Sequence, residues 1–312
     1  MRRLFAVLPL AVLGAACSDL PTASDVTVAA QFDKVTWSGS APPARVIVFG
    51  DSHSDLGNLH AATSGFLAGP PYFQGRWTNG PNWVDELASQ LGVPAVTASL
   101  LGGNGFAWGG AETGSGLVAG FIPNVGGQIA QFLAADALDG DELLVLWAGT
   151  NDGIQNVLSG GAWGSTPTTA VMNISQHIND LADAGGKLFL VPNLHGLGNY
   201  SSPYFAGAGP GAKDWTRNFN TLLKTELKAL ERSRDIRIIR FEEKDLIEEL
   251  MDHPRKFGLR NVTEQACDGC FENYGGTPVA NPDDYLWWDA VHFTAVVHAI
   301  LGAEAAKLVL QR

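Results

Sequence analysis

The chain has 312 residues, of which 46% are hydrophobic and 17% charged, an ordinary balance for one large globular domain with its own core. Its formal net charge of −12 would repel a phosphate backbone, and no stripe of Lys and Arg offsets that charge. Nucleic acid is therefore excluded as the expected partner.

The first residues have the form of an export signal. Arg2 and Arg3 precede an apolar run from Leu4 to Ala16, interrupted only by Pro9. A bilayer span needs about 20 apolar residues, so this run fits a signal core and not a membrane helix. It ends in Gly14-Ala15-Ala16-Cys17, which resembles a bacterial lipoprotein processing site, although Gly14 stands where Leu is usual. The expectation is a signal peptide over 1–17 with Cys17 as the lipidated residue. The protein would then be exported and attached to a membrane through that lipid. Ser18 favours the outer membrane; a periplasmic or plainly secreted protein is the alternative. Residues 18–43, rich in Ser, Thr, Ala, Asp and Pro, read as a tether or loosely packed arm.

From residue 44 to 312 the pattern is that of one folded domain. Three apolar runs end near Gly, Pro or Asn, Val46 to Phe49, Leu143 to Trp147 and Lys187 to Val191, and Ile236 to Phe241 is a fourth run. Continuous apolar runs, as opposed to alternating ones, predict strands buried on both faces. Trp83 to Leu91, Gln128 to Ala135, Thr168 to Ala184, Trp215 to Arg232 and Thr294 to Leu310 carry apolar residues at helical spacing, with Thr294 as a candidate cap. Strands alternating with helices predict an α/β domain with a parallel sheet covered on both sides. Glycine-rich loops are expected at 102–127 and 196–211. In such sheets ligands bind beyond the carboxyl ends of the strands, which would bring Ser52 and Asn151 to one edge.

Four polar segments carry candidate chemistry. Gly50-Asp51-Ser52 follows the first strand, where a tight turn would project the Ser52 hydroxyl and a following helix would offer N–H groups to negative charge. Asp289-Ala290-Val291-His292 places a carboxylate and an imidazole on one short loop. A serine hydroxyl needs a base near neutral pH; histidine can take and return the proton, and a carboxylate can hold its tautomer. Gly149-Thr150-Asn151-Asp152 places an amide where it can donate to an acyl oxygen. Gly102 to Ala111 supplies glycines that let backbone approach a substrate. Taken singly, each segment is equally what a cap, an Asx-turn or a flexible loop would give.

Together and in this order, the four resemble the GDSL, or SGNH, hydrolase family. The segment Gly75-Arg76-Trp77-Thr78-Asn79-Gly80-Pro81-Asn82-Trp83-Val84 and Pro192-Asn193-Leu194 extend the likeness to its longer lipase/esterase subfamily, that of plant GDSL lipases, thermolabile hemolysins and glycerophospholipid–cholesterol acyltransferases. The resemblance covers roughly Arg45 to Leu310. It implies a flavodoxin-like three-layer α/β/α sandwich with a mainly parallel, roughly five-stranded sheet. It implies Ser52 as nucleophile, His292 as base, Asp289 as its partner, and an oxyanion hole made by Ser52, Gly103 and Asn151. Gly105 stands where the subfamily has Asn, so the oxyanion glycine is Gly102 or Gly103, of which Gly103 is taken. The activity implied is hydrolysis of small-molecule or lipid acyl esters through an acyl-enzyme, with no metal and no cofactor. Acyl transfer to an alcohol, O-deacetylation of carbohydrate, and a catalytically silent surface-binding lipoprotein remain as alternatives.

His53 replaces the Leu of GDSL and is expected to face solvent. Phe293 replaces the Pro that usually follows the catalytic His. Trp287 and Trp288 are expected to shape an acyl site. Cys267 and Cys270 lack the further ligands that zinc needs, so in an oxidising compartment they are expected to form a disulfide, two reduced thiols being the alternative.

Overall fold

The computed structural model describes residues 41–199, 209–273 and 275–311. The segment expected to be a signal peptide ending at Cys17, and the expected 18–43 arm apart from its last three residues, lie outside them.

The first half of the domain contains β1 (Val46–Gly50), α1 (Asn58–Ala62), α2 (Trp83–Leu91), a short ribbon of β2 (Leu117–Val118) and β3 (Ile122–Pro123), and α3 (Val125–Ala135). The second half begins with β4 (Leu143–Trp147), α4 (Thr150–Leu158), α5 (Pro167–Asp183) and β5 (Leu188–Pro192). There follow α6 (Gly209–Ser233), β6 (Arg237–Phe241), α7 (Glu243–Asp252), β7 (Asn261–Gln265), α8 (Cys270–Asn273), β8 (Tyr285–Trp287) and α9 (Ala295–Leu310).

The four apolar runs form one parallel sheet in the order β1-β4-β5-β6. Residues of β1, β4 and β5 are buried throughout, as a sheet covered on both faces requires. The fifth position predicted for the sheet is held by backbone at 104–108, which the sequence presents as loop. There Val48 N–H donates to Asn104 O (3.0 Å), Phe106 N–H to Val48 O (2.7 Å) and Trp108 N–H to Gly50 O (3.1 Å). This edge is too glycine-rich to show a strand pattern, and only its pairing with β1 makes it extended.

Layering follows from side-chain direction. Phe49 pairs in register with Leu146, so Phe49 and Trp147 point to opposite faces of the sheet. Phe49 meets Phe132 of α3, whereas Trp147 meets Trp83 of α2, with ring centroids 5.8 and 5.3 Å apart. Helix α2 packs on α9, and α5 packs on α6 and α3, so the sheet lies between two helical layers. Since the chain leaves β1 for the 104–108 edge on one side and for β4 on the other, the crevice beyond β1 and β4 is the place where such a fold opens a site.

Two local expectations change. Thr294 stands at the N-cap of α9, but its hydroxyl donates to Tyr285 O (2.7 Å) and caps nothing. The cap comes from Asn79, whose Oδ1 accepts Ala295 N–H at 2.8 Å, a partner 216 residues away. Helices α1, α4 and α7 follow strands directly at polar segments whose apolar periodicity is too short to read. Among the described residues no helix is long and apolar enough to cross a membrane.

Helices α2 and α9 are joined by a bond from Trp83 N–H to Nδ1 of the buried His298 (3.3 Å). Burial first, and then the neighbouring His53 and His292, pushes the His298 imidazole well below its ordinary value. Below about pH 6.5 the unfolded chain therefore binds a proton that the folded chain refuses, and stability falls with falling pH. We expect the thermal midpoint to drop between about pH 6.5 and 5, and the drop to be shallower in His298→Gln. Parallel melting curves against pH for the two chains check this.

Candidate active site

Gly50 ends β1 with φ +149°, and a Cβ there would collide with Trp147 O on the adjacent strand, so only glycine lets the chain turn at this point. Gln128 of α3 clamps the turn, accepting Gly50 N–H and donating to Gly50 O, both at 2.9 Å. Beyond the turn, Ser52 lines a cavity at the carboxyl ends of β1 and β4.

The C-terminal loop meets it there. Ser52 Oγ lies 2.9 Å from His292 Nε2, although 240 residues separate the two. Nδ1 of His292 lies 2.9 and 2.8 Å from Asp289 Oδ1 and Oδ2. Asp289 Oδ1 also accepts the N–H groups of Val291 (2.9 Å) and His292 (2.8 Å), which curls the loop around the carboxylate. Burial alone would push the Asp289 carboxyl up. Electrostatic attraction to the His292 ring and the hydrogen bonds from His292, Tyr72 and Val291 outweigh it and hold the group below its ordinary value.

Three features of this arrangement are not legible in the four segments. Tyr72 donates from its hydroxyl to Asp289 Oδ2 at 2.6 Å. Trp77 stacks on the His292 ring, with centroids 5.0 Å apart and planes 28° apart, and Phe271 meets the same ring edge-on at 5.7 Å. The GRWTNG segment thus builds the site wall at Trp77 and caps α9 at Asn79. Only its Arg-Trp-Thr-Asn likeness to a family segment marked it beforehand. Phe293 holds the loop in place of the usual Pro: it stacks on Trp287 at 5.1 Å and bridges to it, and Trp288 N–H donates to His292 O at 2.8 Å.

The glycine-rich segment requires a correction. Gly103 does not line the cavity, and its N–H donates to Ala98 O (3.1 Å). Gly102 is likewise held in the turn, its N–H donating to Ser99 O (3.0 Å). The glycines at the site are Gly109 and Gly110. Gly109 N–H donates to Asp55 Oδ2 (2.8 Å), while the N–H groups of Gly110 and Ser52 have no acceptor among the described residues. Pairing of 104–108 with β1 decides this, because it carries residues 102–103 away from Ser52 and delivers 109–110 beside it.

Asn151, at the start of α4, lines the same cavity and donates one side-chain N–H to Ala111 O (2.8 Å), which leaves the second N–H available. The next residue, Asp152, is buried and accepts both Thr113 N–H and Thr113 Oγ1–H at 2.8 Å. This pair ties α4 to the glycine-rich segment, so Asn151 and Gly110 are positioned as one unit. Burial pushes the Asp152 carboxyl up despite these bonds.

His53 is buried, not solvent-facing: it lines the cavity floor, with Nδ1 3.3 Å from Asp51 Oδ1 and its ring 5.6 Å from that of His292. Trp287 and Trp288 flank Asp289 but are buried behind it and form no part of the cavity wall. A disulfide joins Cys267 and Cys270 just before Phe271. No group of three or more His, Cys, Asp or Glu among the described residues is arranged to hold a metal ion.

The cavity has a volume of about 720 Å³ and runs outward from Ser52 and His292 between Leu67, Ile122, Ile154 and Leu158. Ser52, His53, Thr150, Asn151 and His292 line it together with Gln155 and Ser159 of the α4 segment, among a majority of apolar residues and glycines.

A family model described as GDSL-like lipase/acylhydrolase matches residues 46–305. Among curated proteins, the chain is 27% identical over 320 residues to a phosphatidylcholine-sterol acyltransferase of Aeromonas hydrophila, covering 85% of this chain and 90% of that protein. It is also 27% identical over 322 residues to a sinapine esterase of Brassica napus, covering 81% of this chain and 82% of that protein. Among solved structures, an acetylxylan esterase from Geobacillus stearothermophilus superimposes with a TM-score of 0.50 at 10% identity, over 88% of this chain and 97% of that one, a likeness of fold alone. The chain belongs to the GDSL-like lipase/acylhydrolase family and is a carboxylic ester hydrolase by that membership.

Proposed function

We propose that the protein is a serine lipase/esterase that cleaves acyl esters with an extended acyl chain, lipids included, through an acyl-enzyme. The observation that carries this reading is the continuous line Ser52 Oγ–His292–Asp289, with bonds of 2.9 and 2.8 Å, opening into an apolar cavity.

In this reading Ser52 Oγ attacks the ester carbonyl while His292 Nε2 takes its proton. Asp289 keeps the other ring nitrogen protonated and stabilises the imidazolium. The oxyanion is met by the N–H groups of Ser52 and Gly110 and by the free side-chain N–H of Asn151. His292 then gives its proton to the leaving alcohol. Water attacks the acyl-enzyme through the same base, which releases the acid and restores Ser52. The apolar wall favours an acyl chain longer than acetyl over a carbohydrate-bound acetyl group. Acyl transfer is the second reading, favoured by the acyltransferase relative: an alcohol in the cavity would replace water in the last step. Product analysis with and without a sterol acceptor separates the two. Export and acylation at Cys17 belong to the same proposal and rest on the residue pattern at 1–17.

Ser52→Ala is expected to lower hydrolysis of p-nitrophenyl butyrate by about 10⁴-fold or more, and to abolish labelling by a fluorophosphonate probe, with the melting curve retained. Wild-type rates in that variant would exclude the mechanism. Asn151→Ala should lower kcat by about 10²-fold at nearly constant KM, as loss of one oxyanion donor does. Tyr72→Phe removes one hydrogen bond to a buried carboxylate, worth about 1.5–3 kcal/mol, so kcat should fall about 10-fold or more. A Tyr72→Phe enzyme with unchanged kcat would show that Asp289 is held by its loop alone.

A further inference from the structure

The outer edge of the cavity is unlike the rest of this acidic molecule. The β2–β3 ribbon carries Leu117 and Phe121 at 57% and 45% exposure, and the end of α4 and the turn after it carry Leu158 and Trp163 at 38% and 72%. These are large apolar side chains left in water on two segments that both contribute residues to the cavity wall. Phe121 directly precedes Ile122, and Leu158 directly precedes Ser159; Ile122, Leu158 and Ser159 all line the cavity. The second segment is built to hold its tip: Trp163 N–H donates to Ser159 Oγ at 2.8 Å, and Gly161 N–H to Asn156 O at 2.7 Å.

Charge distinguishes this face further. Residues 113–124 and 153–166 contain no Asp, Glu, Lys or Arg, in a chain whose net charge is −12. Lone exposed apolar residues are ordinary, but a set gathered around a cavity mouth marks an interaction surface. Trp, Phe and Leu are the side chains that enter the boundary between headgroups and acyl chains. Attraction to an anionic surface requires Lys or Arg, which this face lacks, and the overall negative charge opposes it.

We propose that this rim seats the cavity mouth on a zwitterionic lipid–water interface, so that an acyl chain passes from the lipid phase to Ser52 without crossing water. The inference rests on the acyl-ester reading of the cavity and names the surface through which that substrate arrives. Leu117, Phe121 and Trp163 enter to headgroup depth, and Leu158 continues the apolar path inward.

The test separates docking from chemistry. The Ser52→Ala chain binds without turnover, and its flotation with phosphatidylcholine vesicles is compared with that of the same chain carrying Phe121→Ser and Trp163→Ser. The N-terminal segment is common to both, so the difference reports on the rim. We expect the double substitution to lower the partition coefficient by about 10-fold or more. Flotation of the parent with phosphatidylglycerol vesicles at low salt should be weaker than with phosphatidylcholine. With Ser52 intact, the double variant should hydrolyse monomeric p-nitrophenyl acetate within about two-fold of the parent rate, while its rate on emulsified long-chain ester falls in step with binding. Equal flotation of the two chains would overturn the proposal, as would a preference for phosphatidylglycerol. A parent that is dimeric by light scattering and becomes monomeric on Phe121→Ser/Trp163→Ser would also overturn it, since a second copy would then cover the face. Failure of the esterase reading looks different: vesicle binding would persist while no ester is turned over.

Discussion

The buried carboxylate of Asp55 holds the catalytic end of the molecule together. It accepts N–H groups from Gly57 (2.8 Å) and Asn58 (2.7 Å) on its own turn, from Leu59 (3.3 Å), and from Gly109 (2.8 Å) on the segment across the site. Burial pushes this carboxyl up, and the same four N–H groups favour its charged form. The neighbouring Asn58 completes the tie by donating to Gly105 O and Ala107 O at 2.8 and 2.9 Å. Together with the pairing of 104–108 with β1, this junction fixes the turn that carries Ser52 against the segment that carries Gly110. With it, their free N–H groups are presented to one point. Asp55 and Asn58 are thus positioning residues for a backbone arrangement, and neither lines the cavity.

The imidazole of His292 is constrained in the same spirit, from several directions by separate parts of the chain. Asp289, itself bonded by Tyr72, lies within hydrogen-bond reach of Nδ1, and Trp77 and Phe271 pack against the ring. The Trp287–Phe293 stack closes the loop behind it. Under this layer lie further buried imidazoles, each with a partner: His53 with Asp51, His195 with Glu243 (2.9 Å), and His298 with Trp83 N–H. A charged group on any one of them is felt by the others, since little water is present to screen it. The titratable groups of the site are therefore internal, while the cavity leading to it is lined mostly by apolar residues and carries exposed apolar side chains beside it. Such a division suits a substrate whose reactive carbonyl is polar and whose acyl chain is not.

Much of this was legible from residues 44–312. The strands and most long helices follow from apolar runs and helical spacing, because burial on both faces leaves a continuous signature. Ser52, Asn151, Asp289 and His292 stand in segments whose residue types admit few uses in combination; the structure brings Ser52, Asn151 and His292 to one cavity, with Asp289 buried behind His292. The disulfide between Cys267 and Cys270 followed from elimination of zinc and from compartment. By contrast, the glycine misassignment shows a limit of local pattern. Gly102, Gly103, Gly109 and Gly110 are equivalent as sequence, and nothing local tells which of them stands opposite Ser52.

Sequence alone determined the fold class and the family and singled out the candidate reacting groups, since each depends on side-chain chemistry or on periodicity within a short stretch. Tertiary structure alone decided which backbone N–H groups are free, that Tyr72 reaches Asp289 across 217 residues, that Asn79 and not Thr294 caps the last helix, and that His53 is buried. Those outcomes are set by strand pairing and by contacts between distant segments. A hydrogen bond depends on distances of a few tenths of an ångström between groups that the sequence does not place relative to each other.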